Sequence, residues 1–247
     1  NGTLQGSTQS YSSSESHYFV VRGNSGSIFN CNFGQNPSFS GTVTAGTYTD
    51  SNGRGLFKYQ PPTGFLALCE DNLPTPAIAD PGEHFKTVLW TGDGNTGRSI
   101  TGVGFKPDLV WIKERAGTSN HNLYDSVRGA TKRLYSDLPN AEYTYTNGNG
   151  VNSFDSDGFS FGADGALNQD TIPTVAWCWK AGGAAVSNTD GTITSQVSAN
   201  QTAGFSIVSY TGNETDNATV GHGLGKVPNM IIVKNRNSAV AWGVWHS

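Results

Sequence analysis

A small set of histidines and serines has the side-chain types needed for acid–base or nucleophilic chemistry. A histidine can exchange a proton near neutral pH, and a serine beside a base can attack as a nucleophile. The sequence contains no G-x-S-x-G, H-E-x-x-H or phosphate-binding loop motif to frame such chemistry. We therefore predict that the protein is not an enzyme, and that His222 hydrogen-bonds a loop carbonyl and so fixes the turn ahead of residues 230–233. The candidates by residue type are His84, His121, His222, His246, Ser126 and Ser247.

Two acidic turns have the spacing that calcium loops use. Asp155 and Asp157 flank one turn, and Asp93 precedes Asn95 in the other. A calcium ion prefers several oxygen ligands within a tight turn, but neither segment has the closing bidentate Glu of an EF-hand. The favoured interpretation is that these acids form turns at hairpin ends, with Asp155 and Asp157 kept as candidate metal ligands. Glycosidase chemistry would need two facing carboxylates, and the sequence selects no such pair.

Aromatic residues are the third group that could bind a ligand, because a flat ring can stack on the apolar face of a sugar. The chain has six Trp and nine Tyr. The tryptophans that occur inside apolar segments are predicted to pack in the core. Tyr143 and Tyr145 lie instead in the polar stretch AEYTYTNGNG. They are therefore the candidate ligand-binding residues, and no cofactor is predicted.

The composition indicates the elements that must position these residues. Of 247 residues, 35% are hydrophobic, 14% are charged and 32 are Gly. The polar residues are mainly Ser, Thr and Asn, which favour turns over helix interiors. We predict an all-β protein made of tandem antiparallel β-sandwich or jelly-roll-like modules. Little helix is expected, with one short helix around residues 131–137.

Charge, hydropathy and cysteine content exclude several classes of protein. The formal net charge of −4 argues against nucleic-acid binding, which normally needs a basic surface. No stretch approaches the roughly 18 consecutive apolar residues of a membrane helix, so no membrane insertion is expected.

Cys31, Cys69 and Cys178 are odd in number and widely spaced. Buried free thiols are the favoured interpretation, and one disulfide with a leftover thiol remains open.

The chain contains an internal repeat of roughly 120 residues. Pro107 and Pro228 lie 121 positions apart, and so do Lys113 and Lys234. Residues 108–113 form a mostly apolar segment that is predicted to be a central strand of a sheet. Residues 174–180 are predicted to close the first repeat as a strand, with a hairpin turn before it near Asp157. The second repeat, at residues 205–247, is expected to hold only opening strands, which a chain continuation or a neighbouring subunit would complete.

The N-terminal third resembles a known domain type. Residues 29–38 read FNCNFGQNPS and residues 55–68 read GLFKYQPPTGFLAL. They resemble the closing strands of a SPRY-type, concanavalin-like β-sandwich. The following FKTVLWTG at residues 85–92 and YDSVRG at 124–129 resemble a repeat found after such domains in bacteriophage structural and tail-fibre-like proteins, many of them marine.

The resemblance implies four segments and a function. Residues 1–68 would be the C-terminal part of the SPRY-like sandwich, and 69–83 a proline-rich linker. Residues 84–204 would form the first repeat and 205–247 the start of a second. The implied function is a non-enzymatic virion component, in a tail fibre or on the capsid surface. Its partners would be other virion subunits, including copies of itself. The alternative is an adhesion module that binds a host cell-surface glycan.

Overall fold

The computed structural model describes Ser38 and residues 44–247. Cys31 and most of the segment 29–38 therefore lie outside the described residues. The chain divides into two compact units, Asn1–Pro76 and Ala77–Ser247, with the boundary inside the segment 69–83. Among the described residues, no helix is long and apolar enough to span a bilayer.

In the described part of the first unit, a buried carboxylate organises the loops. Asp50 accepts hydrogen bonds from the backbone amides of Asn52, Arg54 and Ala67 and from Asn72 Nδ2, at 2.7–2.9 Å. Residues 61–68, which the SPRY resemblance assigns to a terminal strand, form turns and irregular chain.

The regular secondary structure of the second unit is almost entirely antiparallel strand, which confirms the predicted all-β class. Its one α-helix, α1 (Gly165–Asn168), is a single turn capped by Asp164. The strands are β1 (Phe85–Thr91), β2 (Arg98–Ile100), β3 (Leu109–Glu114), β4 (Asn122–Asp125), β5 (Lys132–Tyr135), β6 (Tyr143–Thr144), β7 (Val151–Asp155), β8 (Gly158–Phe161), β9 (Pro173–Trp179), β10 (Val186–Asn188), β11 (Ser195–Asn200), β12 (Phe205–Tyr210), β13 (Met230–Val233) and β14 (Gly243–His246).

The largest sheet has six strands in the order β1-β9-β3-β4-β5-β6. β3 is a central strand, as its apolar sequence predicts, and its residues alternate between half-buried and buried. β9 closes the first repeat as predicted. It inserts between β1 and β3 and pairs with both in antiparallel register.

A three-stranded sheet in the order β2-β8-β7 packs over this large sheet to make a sandwich. β7 and β8 form the predicted hairpin at Asp157. The Trp90 ring meets the Phe159 ring edge-on, with their centroids 6.1 Å apart. Gly158 has φ +156°, and a Cβ there would overlap the Ile100 carbonyl oxygen, so only glycine fits. The buried core also holds Val110, Ile112, Tyr124, Val151, Phe161 and Ala176.

The helix predicted around residues 131–137 is wrong, because this segment contains strand β5. Only Leu134 of this segment is buried. The segment pairs with β4 on one side and β6 on the other. A seven-residue helix would pair only a few of those backbone groups internally, because the first four N–H and last four C=O groups of a helix have no partner within it.

Two smaller sheets complete the second unit. β10, β11 and β12 form one sheet, so strands on either side of residue 204 are bonded to each other. β13 and β14 form a separate two-stranded hairpin. β12, β13 and β14 carry the second copy of the repeated sequence.

Candidate functional site

The β13–β14 hairpin reproduces the β3–β4 hairpin residue for residue, 121 positions later. Leu109 pairs with Asp125 in the first repeat, and Met230 pairs with His246 in the second. All four facing pairs of β13–β14 have their counterpart in β3–β4 at this spacing. Because a one-residue slip would reverse every side chain, the shared register means that both repeats follow one structural plan.

The contacts outside the strands repeat as well. Lys113 Nζ donates to the carbonyl oxygens of Glu114 and Gly117. Lys234 Nζ donates to the carbonyls at the matching positions, Asn235 at 2.6 Å and Ser238 at 3.1 Å. The same loop geometry therefore follows β3 and β13.

An ion-pair cluster joins the second repeat to the first. Arg236 Nε and Nη2 each donate to the Glu142 carboxylate at 2.8 Å, and the Glu142 amide donates to the Arg236 carbonyl at 2.8 Å. Arg128 Nη1 donates to the same carboxylate at 3.0 Å and also pairs with Asp125. Burial favours the protonated form of Glu142, but the hydrogen bonds and charges of the two arginines outweigh burial and lower its pKa.

A tryptophan adds a second link between the repeats. Trp242, in the loop before β14, donates from Nε1 to the Tyr135 carbonyl oxygen at 2.9 Å. Arg236 Nη1 donates to Ser209 Oγ in β12 at 3.0 Å. The hairpin of the second repeat is thus bonded to the first repeat and to β12 through charged and indole donors.

The predicted ligand-binding tyrosines lie together but differ in accessibility. Tyr143 is 53% exposed, whereas Tyr145 is half-buried and packs against the core. Their rings meet edge-on, with centroids 4.9 Å apart. The Tyr145 hydroxyl donates to Asp164 and accepts from Arg133, and burial together with the Asp164 charge raises its pKa. Tyr143 is the member of the pair that is open to a ligand.

The guanidinium of Arg133 stacks on this aromatic cluster. Its central carbon lies 4.2 Å from the Tyr135 ring centroid and 5.4 Å from that of Tyr143. The Arg133 guanidinium therefore lies beside the exposed Tyr143 ring, at a distance typical of a cation–π contact.

A model of the DUF7483 family, described as a domain of unknown function, matches residues 80–247. The chain belongs to this family. No curated protein and no solved structure matches the chain. The DUF7483 match includes both copies of the repeat and every contact of the junction between them.

Within the DUF7483 region, the two candidate metal ligands have different partners. Asp157 accepts from the amides of Gly102 and Gly104 at 3.0 and 2.6 Å, which lowers its pKa. Asp155 accepts from Ser153 Oγ at 2.7 Å. Among the described residues, no group of three potential metal ligands comes together. Asp157 therefore connects the β7–β8 turn to the loop before β3.

The four candidate histidines lie among the described residues, and each has different neighbours. His121 Nδ1 accepts from Trp111 Nε1 at 2.9 Å, and His84 Nδ1 lies 3.0 Å from Asn200 Nδ2. His222 Nδ1 accepts from the Leu224 amide at 3.2 Å. His222 does fix its loop as predicted, although through a backbone amide. His246 is an exposed residue of β14.

The outer face of the large DUF7483 sheet carries a second aromatic group. Trp111 lies edge-on to Trp177, with ring centroids 5.9 Å apart. Trp179 stacks on Phe205 of β12 at 6.2 Å. These tryptophans are half-buried and face away from the core, unlike the buried Trp90. Core packing was predicted for all four, and for Trp111, Trp177 and Trp179 this prediction is wrong.

Sequence reasoning missed the residues of the repeat junction. Glu142 and Arg236 lie 94 positions apart, and no local motif links them. One signal was present: Arg236 and Arg115 occupy matching positions in the two repeats. Arg115 is exposed, so a shared residue type would still not have revealed the partner of Arg236.

Proposed function

We propose that the protein is a non-enzymatic structural component of a virion, in a tail fibre or on the capsid surface. The observation that carries this proposal is the bonded junction between two repeats whose hairpins have the same strand register. In repeat proteins, contacts between neighbouring units extend the structure in one direction. The Arg236–Glu142 pair and the Trp242 contact would give a rod or surface layer its continuity.

Two further observations support this proposal. The sequence resembles bacteriophage structural proteins at the residues quoted above. The candidate histidines His84, His121 and His222 and the acids Asp155 and Asp157 are engaged in hydrogen bonds that hold loops and strands. Other virion subunits, including further copies of the chain, would be its partners.

Immunogold electron microscopy would test the proposal. Antibodies raised against the purified chain are applied to intact particles of a phage that encodes it. We expect gold at a fixed position, along a fibre or over the capsid, with the same spacing from particle to particle. If the chain occurs only in the soluble fraction of lysed cells and never on purified particles, the proposal fails.

The second candidate function is recognition of a host cell-surface glycan. It is favoured by the exposed Tyr143 ring beside the stacked Arg133 side chain. Aromatic rings stack on the C–H faces of sugars, and a neighbouring guanidinium can donate to sugar hydroxyls.

A glycan array would separate this function from a purely structural one. The intact assembly is compared with a Tyr143→Ala variant and with a matched Tyr59→Ala control, since Tyr59 is 52% exposed. Binding to defined glycans that is lost only with Tyr143→Ala supports recognition at this cluster. An intact assembly that binds no glycan removes this function.

A further inference from the structure

A cleft of about 590 Å³ lies at one end of strands β1, β9 and β3, beside the end of β11. Its lining comes from the residue before β1, the loop before β3, the segment after β9 and residues 199–201. All of these segments belong to the second compact unit. The volume of the cleft is in the range of sites that bind small organic molecules.

Two lysines place positive charge in this cleft. Lys106 and Lys180 are both exposed, and neither forms an ion pair with a described residue. Lys180 Nζ lies 6.0 Å from the centroid of the Phe105 ring, at the outer limit of a cation–π contact. Both ammonium groups therefore keep hydrogen-bond donors for a ligand.

His84 supplies a third donor, and its tautomer follows from its contact with Asn200. Asn200 Oδ1 accepts from the Ala203 amide at 3.0 Å, which fixes the end of the side-chain amide that carries the hydrogens. Asn200 Nδ2 lies 3.0 Å from His84 Nδ1, so Nδ1 is the acceptor. The imidazole then carries its proton on Nε2. No described residue accepts from this N–H, which is therefore free for a ligand.

The carboxylate in the lining, that of Asp108, is already engaged by the protein. Asp108 is 2% exposed, and its Oδ1 accepts from Ser126 Oγ at 2.8 Å. Its Oδ2 accepts from the amides of Ala181 and Gly183 at 2.8 and 3.3 Å. These bonds hold the segment after β9 against the loop before β3, so the cleft is formed before a ligand arrives. With the two lysines, Asp108 gives the lining a formal charge of +1, in a chain of net charge −4.

The lining also holds a free acceptor. Gln201 Nε2 donates to the Gly223 carbonyl oxygen at 2.9 Å, which fixes the orientation of the side-chain amide. Its Oε1 accepts from no described residue. A matching ligand therefore carries acidic oxygens for the three donors and a hydroxyl for Gln201. An inorganic anion would occupy only part of the cleft.

We propose that this cleft binds an acidic sugar, whose carboxylate is held by Lys106, Lys180 and His84. Hydrogen bonds from ammonium groups to a carboxylate are charge-assisted and are stronger than neutral ones. A sugar hydroxyl donates to Gln201 Oε1. The site is distinct from the Tyr143 cluster, because β6 lies at the far edge of the six-stranded sheet. The inference does not depend on whether the protein belongs to a virion.

The second repeat shows that the fold does not require this lysine. Val227 occupies the position that matches Lys106 at the spacing of 121. The backbone bond from the Ser126 amide to the Asp108 carbonyl, at 2.8 Å, has its counterpart in the second repeat at 3.0 Å. The loop therefore keeps its main-chain connection with valine in place of lysine. Lys106→Val is thus a substitution that the first repeat should tolerate.

Two-dimensional proton–nitrogen NMR of the full 247-residue chain would test this inference. The probes are sodium glucuronate, sodium galacturonate and sodium N-acetylneuraminate, at constant ionic strength. Glucose and inorganic phosphate are the controls for the sugar ring and for the negative charge. At least one acidic sugar should cause saturable shifts in amides of the residues that line the cleft. Glucose should cause none, and phosphate should bind at least tenfold more weakly than that sugar.

Two lysine variants and a matched control locate the site. Lys106→Val and Lys180→Gln should each weaken binding roughly fivefold, because each removes one charge-assisted hydrogen bond. Arg115→Gln removes the same charge from an exposed residue at the opposite end of β3, and it should leave the affinity unchanged. Unshifted amides elsewhere would show that each variant is folded. The inference is overturned if no acidic sugar binds or if glucose or phosphate binds as tightly. It is also overturned if Arg115→Gln weakens binding as much as the lysine variants do.

Discussion

Cys178 shows how the sandwich controls the chemistry of a single residue. Its thiol is completely buried in β9, and burial raises its pKa to about 12. Cys69 is half-buried and lies in an irregular segment. Both are free thiols, as the sequence predicts, and Cys31 lies outside the described residues. The two described thiols should therefore differ strongly in reactivity.

We expect iodoacetamide at pH 8 to label Cys69 in the native chain and to leave Cys178 unmodified. The thiolate is the reactive form, and raising the pKa of Cys178 lowers its thiolate fraction at this pH. Peptide mapping by mass spectrometry measures the two sites separately. In guanidinium chloride both should react at similar rates. Equal labelling of both thiols in the native protein would show that Cys178 is accessible.

For single residues, the local sequence predicts turns and exposure but not contacts with distant parts of the chain. The Asp157 turn was predictable from its Asp-Gly pair, but its bonds to Gly102 and Gly104 span more than fifty residues. Likewise, the polar stretch around Tyr143 and Tyr145 predicted exposure for both rings. The half-burial of Tyr145 depends on Asp164, which approaches only through the folded sandwich.

At the scale of elements, the β13–β14 hairpin depends on its bonds to the first repeat. Its own strands are short and exposed, and an isolated hairpin is marginally stable in water. The Arg236–Glu142 pair combines two charge-assisted hydrogen bonds with a carboxylate that is 11% exposed. This contact should therefore carry much of the local stability.

We expect Arg236→Ala to destabilise the β13–β14 hairpin by about 2 kcal/mol, the usual cost of losing hydrogen bonds to a charged group. Faster hydrogen exchange of β13 and β14 amides would measure this loss. Arg115→Ala is the matched control, because Arg115 occupies the same repeat position and is exposed. Its substitution should leave exchange unchanged. Equal exchange rates in the Arg236→Ala variant and the unaltered chain would mean that the ion pair does not hold the hairpin.

Element types were more predictable than element pairing. The apolar run of β3 and the alternating aromatic residues of β9 identify both as strands. Their sequence does not reveal that β9 inserts between β1 and β3, because that order depends on pairs of residues up to 94 positions apart. The prediction of a helix around residues 131–137 is wrong because β5 has only four residues, two of them basic, and so shows little of the periodic pattern that identifies a strand.

At the scale of the whole molecule, the two compact units respond to acid through different carboxylates. Asp50 belongs to the first unit and Glu142 to the second. Burial alone would raise the pKa of Asp50. Its hydrogen bonds from Ala67, Arg54, Asn72 and Asn52 more than offset burial and lower the pKa to about 2.

We expect the Asp50 loops to lose stability as the pH falls from about 4 toward 2. The folded-state pKa lies below the usual value of 3.8, so the ionised carboxylate stabilises the loops at higher pH and loses this effect on protonation. A carbon-13 NMR titration of the Asp50 carboxyl should give a midpoint near 2.

Asp71→Asn is the control for this titration, because the Arg54–Asp71 pair is exposed on both sides and should add little. The Asp50 midpoint should not change in that variant. A midpoint near 3.8 in the unaltered chain would contradict the hydrogen-bonded arrangement of the loops.

The insertion of β9 between two earlier strands also bears on how a ribosome makes this protein. β3 ends at Glu114 and β9 ends at Trp179, so about 65 residues must be added before β1 and β3 gain their common neighbour. At 5–20 residues per second, translation takes about 3–13 s to cover that distance. The nascent chain thus carries an unfinished sheet for seconds, and factors that shield emerging polypeptides would act within that interval.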